Sequence, residues 1–134
     1  MVADGLITIK SGYGPEETMN RLEAEVRSRR MTVFAHIDHA AGAAAVGLSL
    51  RPTELLIFGD ARAGTPLMQS NQIAGIDLPL KVLVWQDAAG IAWLTYQDPV
   101  FLAQRHNLDD AGKTRAAAMA AALEAIASKA TTSS

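Results

Sequence analysis

The runs Leu80-Lys-Val-Leu-Val-Trp-Gln86 and Ile91-Ala-Trp-Leu-Thr-Tyr-Gln97, joined by Asp87-Ala-Ala-Gly90, decide how this chain folds. Both runs are rich in β-branched and aromatic residues and the joining segment is short and ends in glycine, so the stretch is predicted to be a β-hairpin. If Gln86 faces Ile91 across the loop, Trp85 opposes Ala92, Leu83 opposes Leu94 and Lys81 opposes Tyr96, all on one face. The other face then carries Val82, Val84 and Trp93. Both faces are apolar, so the hairpin is expected to be buried on both sides.

Upstream of Pro79, a connection of 20 residues from Gly59 to Leu78 leads back to another strand, Glu54 to Phe58. That length is too great for a structureless loop in a small domain, and Thr65-Pro66, an N-cap followed by proline, predicts a short helix ending near Gly75. Glu54 to Phe58 is apolar on both faces and is expected to be covered on both sides, by the domain or by another subunit. Thr32 to His39 is a further strand, with Val33, Ala35 and Ile37 on one side and Phe34, His36 and Asp38 on the other. Small residues from Ala40 to Val46 then suit a short helix closed at Gly47. The first strand is Leu6 to Lys10, and Pro15 opens a helix in which Met19, Leu22 and Val26 recur at helical spacing.

Downstream, Asp98-Pro99 opens a short helix through about His106, closed by Asn107, and Asp109 or Asp110 caps a last, alanine-rich helix. Met119, Leu123 and Ile126 form its apolar stripe. The order β-α-β-β-β-β-α, with short inserted helices, reads as α+β: an antiparallel curved sheet with two long helices on one face.

With 134 residues the chain fits a single domain, 1–134, with an ordered core of about 5–130 and a disordered tail at 131–134. A net charge of -2 with 12 scattered Lys and Arg argues against nucleic acid as a partner. The absence of cysteine removes disulfides, thiolate nucleophiles and Cys-based zinc sites. No apolar run reaches the length of a membrane span, and no signal or transit peptide is legible, so a cytoplasmic protein without a membrane partner is expected.

The run Phe34-Ala-His-Ile-Asp-His39, the segment Gly47 to Gly59, then Gly64-Thr-Pro-Leu-Met68, Gly75-Ile-Asp-Leu-Pro-Leu-Lys81 and Val84-Trp85 resemble the domain-of-unknown-function 302 family. The resemblance covers roughly Gly5 to Leu108. It implies a TBP-like, helix-grip α+β fold and a homodimer, and it implies no particular reaction or cofactor. Asp60 and Gln86 depart from the family's pattern, which has Asn and an acid at these positions.

His36-Ile-Asp-His39 is the one local cluster of ligand-type groups. In a strand His36 and Asp38 share a face while His39 points away, a poor metal spacing, so His39 is either a hydrogen-bonded histidine at a buried strand end or a ligand or acid–base group. Lys81 beside Tyr96 on an apolar face is either snorkelling or partly desolvated, and its ammonium would favour the Tyr96 phenolate. His106 follows Arg105 at a helix end, where it either caps or serves a site. Gly64-Thr65-Pro66 places Thr65 at a helix amino terminus, either as a plain cap or as an anion or carboxylate site. Trp85 and Trp93 alternate across the sheet and read as core or interface.

Three functions are compatible with these residues. The first is a homodimeric small-molecule binding module with His39, Lys81, Tyr96, His106 and Thr65 as polar contacts. The second is a dimeric structural or interaction protein. The third is a metal-dependent or acid–base enzyme built on His39.

Overall fold

The hairpin closes through three residues rather than four. Asp87 N donates to Ile91 O (2.9 Å), Gly90 N donates to Asp87 O (3.0 Å), and Gly90 has φ +84°, the left-handed conformation that glycine adopts without strain. The Asp87 carboxylate fills the loop: Oδ1 accepts from Ala89 N (2.9 Å) and Ile91 N (3.0 Å), and Oδ2 from Trp93 Nε1 (2.8 Å).

These contacts belong to a computed structural model that describes residues 4–132. In chain order its elements are β1 (Leu6–Lys10), α1 (Pro15–Ser28), β2 (Thr32–Asp38), α2 (His39–Ala45), β3 (Thr53–Gly59) and α3 (Ala61–Ser70). A 3₁₀ helix (Gln72–Asp77), β4 (Leu80–Gln86), β5 (Ala92–Gln97), α4 (Pro99–Arg105) and α5 (Asp110–Thr131) follow. The strands form one antiparallel sheet in the order β1-β5-β4-β3-β2. The α+β architecture expected from the sequence is the one observed.

The three-residue loop moves the hairpin register by one. Gln86 opposes Ala92, Trp85 opposes Trp93, Leu83 opposes Thr95 and Val82 opposes Tyr96, so the expected Trp85/Ala92, Leu83/Leu94 and Lys81/Tyr96 pairs do not form. Trp85 and Trp93 therefore share a face and stack, with centroids 6.2 Å apart. Tyr96 and Lys81 lie on opposite faces.

The donors around Asp87, the Trp93 indole foremost, hold its carboxyl below the usual carboxylate range. A carboxyl whose pKa falls on folding adds stability above its unfolded pKa and loses it as the pH drops through the folded value. In a Trp85→Phe background, Trp93 emission is thus expected to stay constant from neutral pH down to about pH 4 and to change only below it. Asp87→Ala should show the acid-form spectrum at neutral pH. A transition centred near about pH 6 would contradict this assignment.

One face of the sheet is covered. Leu56, Phe58, Val82, Val84, Leu94 and Tyr96 point from the three central strands into a core shared with Met19, Leu22 and Val26 of α1 and Met119, Leu123 and Ile126 of α5. Both long helices read from the sequence supply the apolar stripes expected of them. The opposite face, with Leu55 and Ile57 of β3, Leu83 and Trp85 of β4 and Trp93 of β5, is only partly buried. The expectation that β3 and the hairpin are covered on both sides is not met within this chain.

A bulge between Val33 and Ala35 breaks the alternation expected for β2. Val33 opposes Phe58 on the core side, whereas Ala35 opposes Ile57 and Ile37 opposes Leu55 on the open side. One extra residue, Phe34, is enough to reverse the parity.

Two helices start earlier than their sequence signals suggest. Asp38 accepts from Ala41 N and caps α2, which makes His39 its first residue. Asp60 accepts from Arg62 N and caps α3, so Thr65 lies inside the helix and is not its cap. Pro66 in that helix removes only the bond to the carbonyl of Arg62, on an exposed first turn. At the far end α5 runs through Thr131, whose buried hydroxyl donates to Ala127 O (2.8 Å) and whose carbonyl accepts from Gly12 N (2.8 Å). Thr131 therefore belongs to the helix and not to a tail; Ser133 and Ser134 lie outside the described residues.

Candidate functional site

Small residues leave a cleft of about 260 Å³ between α3, α5 and the ends of β3 and β4. Ala63 and Gly64 of α3, Gly75 of the 3₁₀ helix and Ala122 of α5 line it. A Cβ on Gly64 would still be 3.8 Å from the nearest side-chain atom, Leu78 Cδ1. The larger side chains on its walls are Met31, Met68, Met119, Leu78, Leu80 and Phe34. Its polar side chains are Asp60 and Thr65, both belonging to the first half of α3 or its cap. Asp60 Oδ1 accepts from Arg62 N (2.9 Å) and Arg62 Nε (3.3 Å). The backbone amide of Arg62, helped by its guanidinium and opposed by partial burial, holds the Asp60 carboxyl below the usual range.

A wider groove of about 630 Å³ runs between β1 and the other flank of α5. Tyr96, Asp98, Lys10, Glu124 and Ser128 face it. Burial, then the Glu124 and Asp98 carboxylates, push the Tyr96 phenol up. Tyr96 is therefore held as the neutral phenol and not as the phenolate considered from sequence.

A third cluster is closed. His106 Nε2 and Asp77 Oδ2 are 2.5 Å apart, both residues are buried, and Arg105 NH1 donates to both Asp77 oxygens at 3.2 Å. Asn71 Nδ2 donates to the His106 carbonyl (2.8 Å). The cluster pins the 3₁₀ helix to the C-terminal end of α4, and His106 works there as a buried structural group at the helix cap.

The five residues singled out from sequence are scattered. Thr65 lines the cleft and Tyr96 the groove, and neither cavity is lined by His39, Lys81 or His106. His39 is exposed at the first turn of α2 and not at a buried strand end, because Asp38 ends the strand one residue early by capping the helix. Lys81 lies on the open face, opposite Ile57, and its Nζ donates to Pro79 O (3.1 Å). His36 bonds Glu54 Oε1 (2.8 Å) at the edge of the helix-covered side. Among the described residues no group of three or more His, Asp or Glu side chains is placed to hold a metal ion. None of their helices is long and apolar enough to cross a membrane.

The family profile described as "Domain of unknown function DUF302" matches residues 7–126. The chain belongs to the DUF302 family. A crystal structure of a DUF302 protein from Bacillus stearothermophilus superposes with a TM-score of 0.84 at 24% identity, covering 96% of this chain and 99% of that one, and so shares the fold. Two curated relatives are named fluoride-specific ion channels: FluC 1 of Brucella suis and FluC 2 of Brucella melitensis, each 47% identical over 108 residues. That match covers 81% of the DUF302 chain but 42% and 40% of the relatives, so the chain spans about two-fifths of their length.

Within this DUF302 fold the sequence reading missed Asp60, Asp77 and the three cleft methionines. Asp60 followed by Ala61 and Arg62 is itself an N-cap signal, masked by the stronger-looking Thr65-Pro66 five residues later. The methionines come from the α1–β2 connection, α3 and α5, and no local pattern announces that they meet.

Proposed function

We propose that this domain is a binding module for a small, largely apolar molecule, held in the cleft beneath α3. The observation that carries the reading is the cleft itself: about 260 Å³ of space walled by three methionines, two leucines and a phenylalanine, with two polar side chains. Sites for small ligands combine an apolar wall with a few placed polar groups, and methionine adapts its shape to what it holds.

The test is binding of the neutral two-ring fluorescent dye Prodan, a substituted naphthalene. Saturable fluorescence enhancement is expected, and Ala122→Phe, which fills the cleft from α5, should weaken it by about a hundredfold or more. Ala121→Phe, on the exposed side of the same helix, should bind as the parent does. Undiminished binding by a folded Ala122→Phe would overturn the reading.

The name of the Brucella relatives raises fluoride as a ligand. A small hard anion is held by hydrogen-bond donors and cations, whereas this cleft offers a carboxylate and apolar walls. We therefore read the domain as a ligand-binding part that accompanies a fluoride channel in those proteins, separate from the ion's path.

A second reading, homodimerisation, is favoured by the open sheet face. Leu55, Ile57, Leu83, Trp85 and Trp93 form a neutral strip across its three central strands, extended to the half-exposed Leu6 and Ile37 at the edges. Lys81 turns its ammonium onto Pro79 O at the sheet end, which keeps the centre uncharged. A second copy packing sheet to sheet covers this strip with no like charges at the centre.

A further inference from the structure

The chemical class of the cleft's ligand can be taken further, and this step rests on the cleft being a binding site. Three observations constrain it. The first is volume: an apolar cavity of about 150 Å³ holds one benzene ring, so a cleft of about 260 Å³ has room for a flat two-ring system. The second is the wall. Met31, Met68 and Met119 surround the space with polarisable thioethers, which make favourable contacts with aromatic rings.

The third is charge. Among the lining residues Asp60 is the one ionisable side chain. Its Oδ1 is used by the Arg62 amide and guanidinium, and the Arg62 side chain is 87% exposed, so solvent screens that ion pair and it adds little. Oδ2 makes no hydrogen bond among the described residues. Phe34, 57% exposed, lines the same cleft, its ring 3.8 Å from where a Cβ on Gly59 would sit. A carboxylate beside an exposed aromatic ring is the pairing that recognises an ammonium group.

We propose that the cleft takes a flat aromatic amine in its cationic form, its rings among Met31, Met68 and Met119 and its ammonium at Asp60 and Phe34. The ammonium donates to Asp60 Oδ2 at the mouth, where it keeps part of its hydration, while the rings lose theirs inside.

The experiment is displacement of Prodan at about 0.15 M salt by three indoles that differ in charge: tryptamine, 3-ethylindole and indole-3-propionate. Tryptamine is expected to displace the dye about tenfold or more better than indole-3-propionate. Asp60→Asn keeps an N-cap on α3 and removes the charge; it should weaken tryptamine about tenfold and leave 3-ethylindole within about twofold. Equal displacement by cation and anion, or a tryptamine affinity unchanged in Asp60→Asn, would overturn the proposal while the cleft reading stands. If the dye binds equally well to Ala122→Phe, the cleft is not its site and both fall.

Discussion

Replacing Asp77 by alanine is expected to cost about 3 kcal/mol of folding stability and to lower the thermal midpoint by about 10 °C. The loss comes chiefly from His106. Its ring is buried and its Nε2 lies 2.5 Å from Asp77 Oδ2, so removing the carboxylate strands a polar group that water cannot reach freely. The Arg105 contacts contribute less, because that side chain is 56% exposed and screened by solvent. Asp77→Asn keeps the shape and one acceptor oxygen and should lose half as much or less. A loss below about 1 kcal/mol for Asp77→Ala in denaturant unfolding would show that His106 finds another partner.

If the proposed homodimer forms through the open sheet face, Leu83→Lys is expected to raise its dissociation constant by about a hundredfold or more, leaving a monomer at micromolar concentration. Leu83 sits on the middle strand of the sheet, between Leu55 of β3 and Thr95 of β5, at the centre of the neutral strip. A partner copy laid on this face would bury the introduced ammonium with no acid to pair it. The same substitution should move the thermal midpoint of the isolated chain by only about 2 °C, since the face is open to solvent within one copy. Light scattering across a dilution series reads both states. A parent protein that is monomeric at every concentration, or a Leu83→Lys dimer as tight as the parent's, would remove the dimer reading.

Much of this architecture is written in local chemistry. Leu6–Lys10, Pro15 at the start of α1, Leu80–Gln86, Asp98-Pro99 and the Asp109 cap lie where the sequence places them, because strand propensity, proline and capping side chains act within a few residues. What was not legible depends on a single residue more or less. Asp87 pairs with Ile91 across the turn through its backbone and carboxylate and so moves the hairpin by one position, which separates Lys81 from Tyr96 and brings the two tryptophans together. The bulge at Phe34 does the same to β2. Period-two patterns cannot report such insertions, because either register leaves an apolar residue on each face.

The candidate site was less legible than the fold. Thr65 was chosen as a cap and reaches the cleft instead from inside α3. Asp77 and His106 are 29 residues apart, and no motif joins them. The cleft walls come from four separate stretches of chain, so only the folded arrangement reveals them.

The pairing of β1 with β5 also governs the order in which the protein can form. Thr8 and Thr95, whose hydroxyls meet at 2.9 Å, are 87 positions apart, so the domain's first strand has no neighbour until its last strand has been made. The meander from β2 to β5 can assemble from nearer contacts, while β1 and α1 wait. Closing so long a loop slows folding, and through that interval the strand's open edge is available to other chains. Synthesis of this domain therefore passes through a period in which the growing chain, rather than the finished one, is the form most exposed to aggregation.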